Sequence, residues 1–214
     1  MSLERWKRAH QAEKQHSTHQ SGPPNRNQVN EILKNHGTNI SELNNKAVLA
    51  VGGGTGIIHR LPNTSLAITA DPITDLVSEV LVESSAELCT AAGENLPFIS
   101  NSFDFVICRN VLDHVVDPNT VLDEIKRVIK PDGKMIFDIN TFDIPAPVRR
   151  RLSLIDAPHP YHFSTDEVKK LLENSGFKIE YADKWRPSIR KSNLKRSIAI
   201  LAFRMKKINM LCSL

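Results

Sequence analysis

From Lys46 onward, short apolar runs alternate with stretches whose apolar residues recur at helical spacing. That rhythm leaves few folds open, because strands separated by helices pair in parallel and need cover on both faces of their sheet. The spacing predicts strands at Lys46–Val51, Ser65–Ala70, Ala86–Thr90, Phe103–Cys108, Lys134–Ile139, Phe177–Tyr181 and Ser197–Phe203. Helical stretches are expected at Thr55–Leu61, Pro72–Val82, Pro118–Ile129 and Thr165–Asn174. In the third, Val121, Leu122, Ile125, Val128 and Ile129 share one face, and "PDG" stops it. In the fourth, Ser164 and Glu167 have capping-box spacing and Gly176 closes the helix. The reading is α/β: a Rossmann-like, doubly wound sheet.

Residues 1–43 are polar and form an amino-terminal helical extension, with helices expected at Leu3–His19 and Gln28–His36 on either side of "SGPPN". His16 and His19 share a face of the first, but no third ligand stands nearby, and solvated histidines are the better reading. With 214 residues and 24% charged side chains, the chain is sized for one soluble domain. No run is long enough to span a bilayer, and no secretory signal is expected behind "MSLERWKRAH". Cys89, Cys108 and Cys212 have no metal-binding spacing, so no metal site is expected and a reduced, cytoplasmic protein is the plain reading. From Lys178 onward ten Lys and Arg stand against Glu180 and Asp183, a local balance of +8 that leaves −4 on the rest. Asn140–Phe163, with four prolines and no clear period, is read as a long functional loop.

The first strand runs directly into a glycine turn, "VLAVGGGTG". Ligands of open α/β sheets sit beyond the carboxyl ends of the strands. Gly52, Gly54 and Gly56 keep side chains out of that turn, and a helix starting near Thr55 would aim its amides at an anion. A dinucleotide pyrophosphate or the amino-acid and ribose parts of S-adenosylmethionine would suit such a turn. The dinucleotide fingerprint needs a small residue where Ile57 stands, so the spacing favours the second. Asp71 ends the second strand, placed to accept from both hydroxyls of a ribose; with Pro72 it is also a natural helix cap.

"VLAVGGGTG", "AITADP" and "AGENLPFISNSFDFVICRNVLDHVVDPNTVLDEIKRVIKPDGKMIFDIN" together resemble the class I S-adenosylmethionine-dependent methyltransferases, in the type 11 small-molecule branch. The resemblance covers Lys46–Asn140 and extends more diffusely through "HPYHFSTDEVKKLLENSGFKIE". It implies a seven-stranded sheet in the order 3-2-1-4-5-7-6 with an antiparallel seventh strand. It also implies a division into a lid at 1–43, a cofactor-binding core at 46–140, a substrate loop at 140–163, and a helix and strand pair at 164–214. Val51, Gly52, Gly53, Gly54 and Gly56 would line the methionine part of the cofactor, and Asp71 and Pro72 the ribose. Glu94, Asn95 and Leu96 would lie beside the adenine, and Arg109 and Asn110 would face the methyl-transfer site, with S-adenosylhomocysteine as product. For Phe98 core packing is preferred.

Two positions depart from the family pattern. Ala50 and Ala92 stand where acids usually hold the cofactor's amino group and adenine amine. Each missing charge-assisted bond costs about 1.5–3 kcal/mol, about tenfold or more in cofactor affinity. The sulfonium methyl is already activated, so holding an acceptor in line does most of the chemistry. A hydroxyl acceptor would be helped by a base, for which Asp113, His114 and His162 are the candidates, with His159 and Tyr161 nearby. For His114 and His162 the packed, structural role is the stronger reading. The expected function is methyl transfer to a small molecule, anionic acceptors included, with oxygen favoured over nitrogen or carbon. Two competitors stay open: a catalytically impaired cofactor sensor or protein partner, supported by Ala50 and Ala92, and a nucleic-acid methyltransferase. The latter rests only on Lys184–Lys207, which a lysine-protected edge strand explains slightly better.

Overall fold

The computed structural model describes residues 24–52, 56–73, 86–154, 156, 159–186 and 203–214, with isolated positions 4, 7, 8 and 11. The expected helices Leu3–His19 and Pro72–Val82 fall largely or wholly outside these residues, as do Gly53, Gly54 and the basic positions 187–202. The described strands are β1 (Ala47–Val51), β2 (Leu66–Asp71), β3 (Glu87–Thr90), β4 (Phe103–Arg109), β5 (Ile129–Phe142), β6 (Lys178–Trp185) and β7 (Met205–Ser213). The helices bounded within the described residues include α1 (Arg26–Lys34), α2 (Pro118–Val128), α3 (Ala146–Leu152) and α4 (Thr165–Asn174). The seven strands form one sheet in the order β3-β2-β1-β4-β5-β7-β6, as the resemblance implied. Strands β1 to β5 run parallel, and β7 is antiparallel to both of its neighbours.

Alternation along the strands sorts the core into two layers. Leu49, Val51, Val106, Cys108, Met135, Phe137 and Ile139 pack with Val121, Leu122, Ile125, Val168 and Leu172 from α2 and α4. Val48, Ala50, Phe105, Ile107, Ile136 and Leu211 pack on the other face with Val29 and Leu33 of α1. The described helix of the amino-terminal extension therefore covers a sheet face. It begins at Arg26, earlier than its apolar pattern suggests, because Asn25 caps it and Gln28 completes a capping box.

Three expectations are corrected. The seventh strand of the sheet is Met205–Ser213, and the expected Ser197–Phe203 lies outside the described residues except at Phe203. The first turn of sequence in β7 is charged, but Lys206 and Lys207 reach carboxylates on or beside β5 while Ile208–Cys212 are buried. The stretch after the glycine turn is a short 3-10 helix at Ile57–Arg60, whose amino terminus has no side-chain cap, and not the helix Thr55–Leu61. Pro62 disfavours helical backbone at Leu61, and β-branched Ile57 and Ile58 resist it before that. The Asn140–Phe163 segment is not structureless either: β5 runs on to Phe142, and α3 follows.

Candidate functional site

At the carboxyl end of β1, Gly52 turns the chain with a φ of 61°, a left-handed conformation that disfavours residues with a side chain. A Cβ placed there would lie 2.8 Å from Cγ2 of Val111, so the turn is also pressed against the start of the β4–β5 connection. Val51 is buried behind it, and Gly56 enters the 3-10 turn in extended conformation. At the end of β2, Asp71 Oδ1 accepts from the Ile73 amide at 2.8 Å, with Pro72 between them. This bond is the one a helix cap at Asp71 would make, while the helix expected beyond Ile73 lies outside the described residues.

Ala50 is buried on the α1 face of β1, in one cluster with Leu33, Ile57 and Ile107. An acid here would be enclosed by hydrocarbon, so the loss of the usual carboxylate matches its surroundings. At the end of β3, Ala91, Ala92 and Gly93 are half-buried, and a Cβ on Gly93 would come within 3.1 Å of Val51 and 3.2 Å of Val121. Glu94 Oε1 accepts from the amides of Val116, at 2.7 Å, and Asp117, at 3.4 Å. Its carboxylate thus pins the 111–117 turn to the β3 side. Asn95 is exposed, whereas Leu96 is a core residue whose amide donates to Glu124 Oε2 at 2.8 Å. Phe98 packs edge-on to Phe103, as its core reading required.

Beyond β4 the backbone again enters left-handed space, at Asn110 with a φ of 54°. The Asn110 amide donates to the Asp138 carbonyl, and its side chain joins Asn140 Nδ2, at 2.8 Å, to His114 Nε2, at 3.3 Å. Arg109 points elsewhere: its Nε donates to the fully buried Asp138 carboxylate. His36 of the α1 terminus and Lys207 of β7 reach the same carboxylate, at 3.2 and 2.8 Å. Burial pushes the Asp138 carboxyl up, but Arg109, His36 and Lys207 prevail and hold it well below the usual carboxylate range. His36 Nδ1 also meets the Ile32 carbonyl at 2.7 Å, so the ring is fixed from both sides. Sequence reasoning missed this cluster. Its one signal was Asp138 amid the apolar alternation of "MIFDIN".

The segment after α3 closes over the 111–117 turn. Tyr161 donates its hydroxyl to the Val116 carbonyl at 2.7 Å, and its amide lies 3.4 Å from the Asp113 carbonyl. Burial first, then Asp117 and Glu94, raise the Tyr161 pKa and keep the phenol a donor. This stitching brings His159 to His114, with ring centroids 4.5 Å apart. Asp156 accepts from His159 Nδ1 at 2.8 Å and lies 3.1 Å from His162 Nε2. Burial raises the Asp156 carboxyl, but the two histidines hold it well below its ordinary range. The His162 side chain is almost wholly buried, against Phe142. Of the three base candidates, Asp113 and His114 stand together, Oδ1 and Nε2 3.8 Å apart, and His162 belongs to the Asp156 network.

Residues 49–137 match the family model described as "Methyltransferase domain". The chain is 30% identical to the O-methyltransferase rstn1 of Aspergillus nomiae over 168 residues, 71% of this chain and 73% of that protein. It spans about half the length, or less, of other curated relatives that it matches. For the tRNA U34 carboxymethyltransferase of Nautilia profundicola the match is 31% identical over 115 residues, 50% of this chain and 37% of that protein. Among solved structures, the fold resembles phosphoethanolamine N-methyltransferase 2 of Haemonchus contortus, determined with phosphomonomethylethanolamine and S-adenosylhomocysteine. That likeness has a TM-score of 0.67 at 17% identity and covers 90% of this chain and 53% of that one. With the sheet order, the glycine turn and the strand-end acid, these matches establish that the chain belongs to the class I S-adenosylmethionine-dependent methyltransferases, in the type 11 branch.

Proposed function

We propose that the protein transfers a methyl group from S-adenosylmethionine to a small-molecule acceptor, at oxygen in preference to nitrogen or carbon. The observation that carries this reading is the pairing of Gly52, left-handed and bare at the end of β1, with Asp71 at the end of the adjacent β2. The two strands are parallel neighbours, so both residues lie at one edge of the sheet, where ligands of this fold collect. The donor set suits the cofactor: open backbone for its amino-acid part and a carboxylate for vicinal hydroxyls. When bound, S-adenosylmethionine supplies an electrophilic methyl that needs no further activation. Gly52 and Gly56, with Gly53 and Gly54 of the same turn, would hold the amino-acid portion against Val51. Asp71 would grip the ribose beside Pro72, and the backbone of Glu94, Asn95 and Leu96 would border the adenine.

The chain's own residues do the rest by positioning. Asn110, fixed between Asn140 and His114, presents a polar edge beyond β4. His114 is the better placed base candidate, since His162 is enclosed. The loop carrying His159 and Tyr161 shields the same end of the sheet and selects the acceptor. The preference for oxygen draws support from the O-methyltransferase relative that matches most of this chain. Ala50 is the observation for the rival reading, an impaired cofactor sensor, because its apolar setting removes one anchor. Isothermal titration with S-adenosylmethionine and S-adenosylhomocysteine decides between presence and absence of the cofactor site. Saturable heat is expected from both, and none at millimolar ligand would defeat the reading.

A further inference from the structure

Asp113 and His114, adjacent in sequence, meet His159 from a distant part of the chain, and one ligand atom from each lies within 4.8 Å of the other two. The Asp113 side chain is 5% exposed, and among the described residues its Oδ1 accepts no hydrogen bond. That oxygen is directed into the cluster, 3.8 Å from His114 Nε2. A buried carboxylate oxygen with no donor is costly unless a cation neutralises it. We infer that Asp113, His114 and His159 bind one first-row divalent transition-metal ion between the 111–117 turn and the loop at 159–163.

The surroundings prepare both histidines for this role. Asp156 accepts from His159 Nδ1, which leaves the lone pair of a neutral ring on Nε2. A carboxylate behind a histidine is the usual outer partner of a metal ligand. His114 Nε2 lies 3.3 Å from the Asn110 amide nitrogen, a donor, so the neutral ring carries its lone pair on Nε2, the atom of the cluster, and an ion would take the place of that hydrogen bond. Ligands at about 2.0–2.2 Å from a tetrahedral ion stand roughly 3.4 Å apart, so modest side-chain rotations close the set. Two imidazoles and one carboxylate suit zinc, iron, cobalt or manganese better than magnesium or calcium. Three protein ligands leave a coordination position open. An oxygen donor could fill it and would lose its proton to solvent more readily when coordinated. Ion binding stands by itself, whereas a role in readying a hydroxyl acceptor rests on the methyl-transfer reading above, and there the ion would take over from His114 the task of a base. The sequence concealed the set because its third member lies far along the chain.

The test uses the full chain stripped with EDTA. Titration with zinc chloride is expected to show one ion per chain, and Asp113→Asn and His159→Ala should each weaken it at least tenfold. Replacing His16 and His19 together should change nothing. Thermal melting of the variants confirms that they fold, and His159→Gln replaces His159→Ala if that variant does not. No zinc uptake, unchanged affinity in both variants, or loss on replacing His16 and His19 overturns the site. In the cobalt-loaded chain, acetohydroxamate should shift the visible bands; an unchanged spectrum overturns the open position. Zinc uptake without any response to S-adenosylmethionine defeats the methyl-transfer reading alone, and the converse defeats the metal site alone.

Discussion

Arg109, the last residue of β4, and Asp138, its register partner on β5, form an ion pair inside the protein, on the face covered by α1. His36 and Lys207 converge on the same carboxylate, so one acid ties together the helix terminus and three strands. Removing it strands three donors in the interior. Asp138→Ala is expected to cost about 3–5 kcal/mol, read from the urea unfolding midpoint. The acid limb of the stability curve follows from the same cluster. Because the folded-state carboxyl titrates lower than the unfolded one, its contribution is complete above the ordinary carboxylate range near pH 4. It disappears as pH falls below that. Asp138→Asn should therefore be less stable than the parent at neutral pH and should flatten this acid limb.

Asp71 is predicted to serve both the Ile73 amide and the cofactor's sugar. Asp71→Ala should lower S-adenosylmethionine affinity more than tenfold by calorimetry. Affinity equal to the parent's would leave Asp71 a cap alone.

Gly52 faces two separable penalties. Gly52→Ala places a Cβ at a positive φ and 2.8 Å from Val111 Cγ2, and should destabilise by about 1–3 kcal/mol. Adding Val111→Ala relieves the contact but not the backbone term. A double-mutant cycle should thus recover part of the loss, and full recovery would mean that the backbone is under no strain.

Glu167 is shared by two devices. Its Oε2 completes the α4 capping box on the Ser164 amide, and its Oε1 accepts from buried Arg149, which also holds the carbonyls of Ile144 and His162. Glu167→Gln keeps the cap geometry and removes the charge, so it should cost less than Glu167→Ala, which loses about 1 kcal/mol from the cap as well. Chemical denaturation of the two variants measures the difference.

Thiol labelling should be selective. Burial, followed by Asp138 and Asp113, raises the Cys108 pKa, and burial with Glu180 pushes that of Cys212 up to about 12. Only Cys89 is partly accessible, so iodoacetamide should modify one cysteine of the native chain and all three in urea. Rapid labelling of Cys212 in the native state would mean that β7 is not held in the sheet.

The sheet was legible in the sequence wherever a strand carried its own apolar run, as β1 and β4 do. It was not legible at β7, where a longer apolar run upstream, "SIAILAF", outweighed a strand that starts with lysines. Those lysines are placed by carboxylates on or just beyond β5, which no local pattern reveals. The strand-end residues Gly52 and Asp71 were readable because turn geometry and capping are local properties. The 111–117 turn and the histidine loop were not, because they are assembled by Glu94, Tyr161 and Asp156 across long separations. Ala50 was readable as a departure, but its fit to the α1 layer required the packed structure.

The position of β7 between β5 and β6 has a consequence for synthesis. Until residues 205–213 leave the ribosome, β5 exposes one full edge and β6 has no partner at all. Once β6 has been made, the nascent chain carries two sticky borders, and its sheet becomes whole only when the closing segment slides between them.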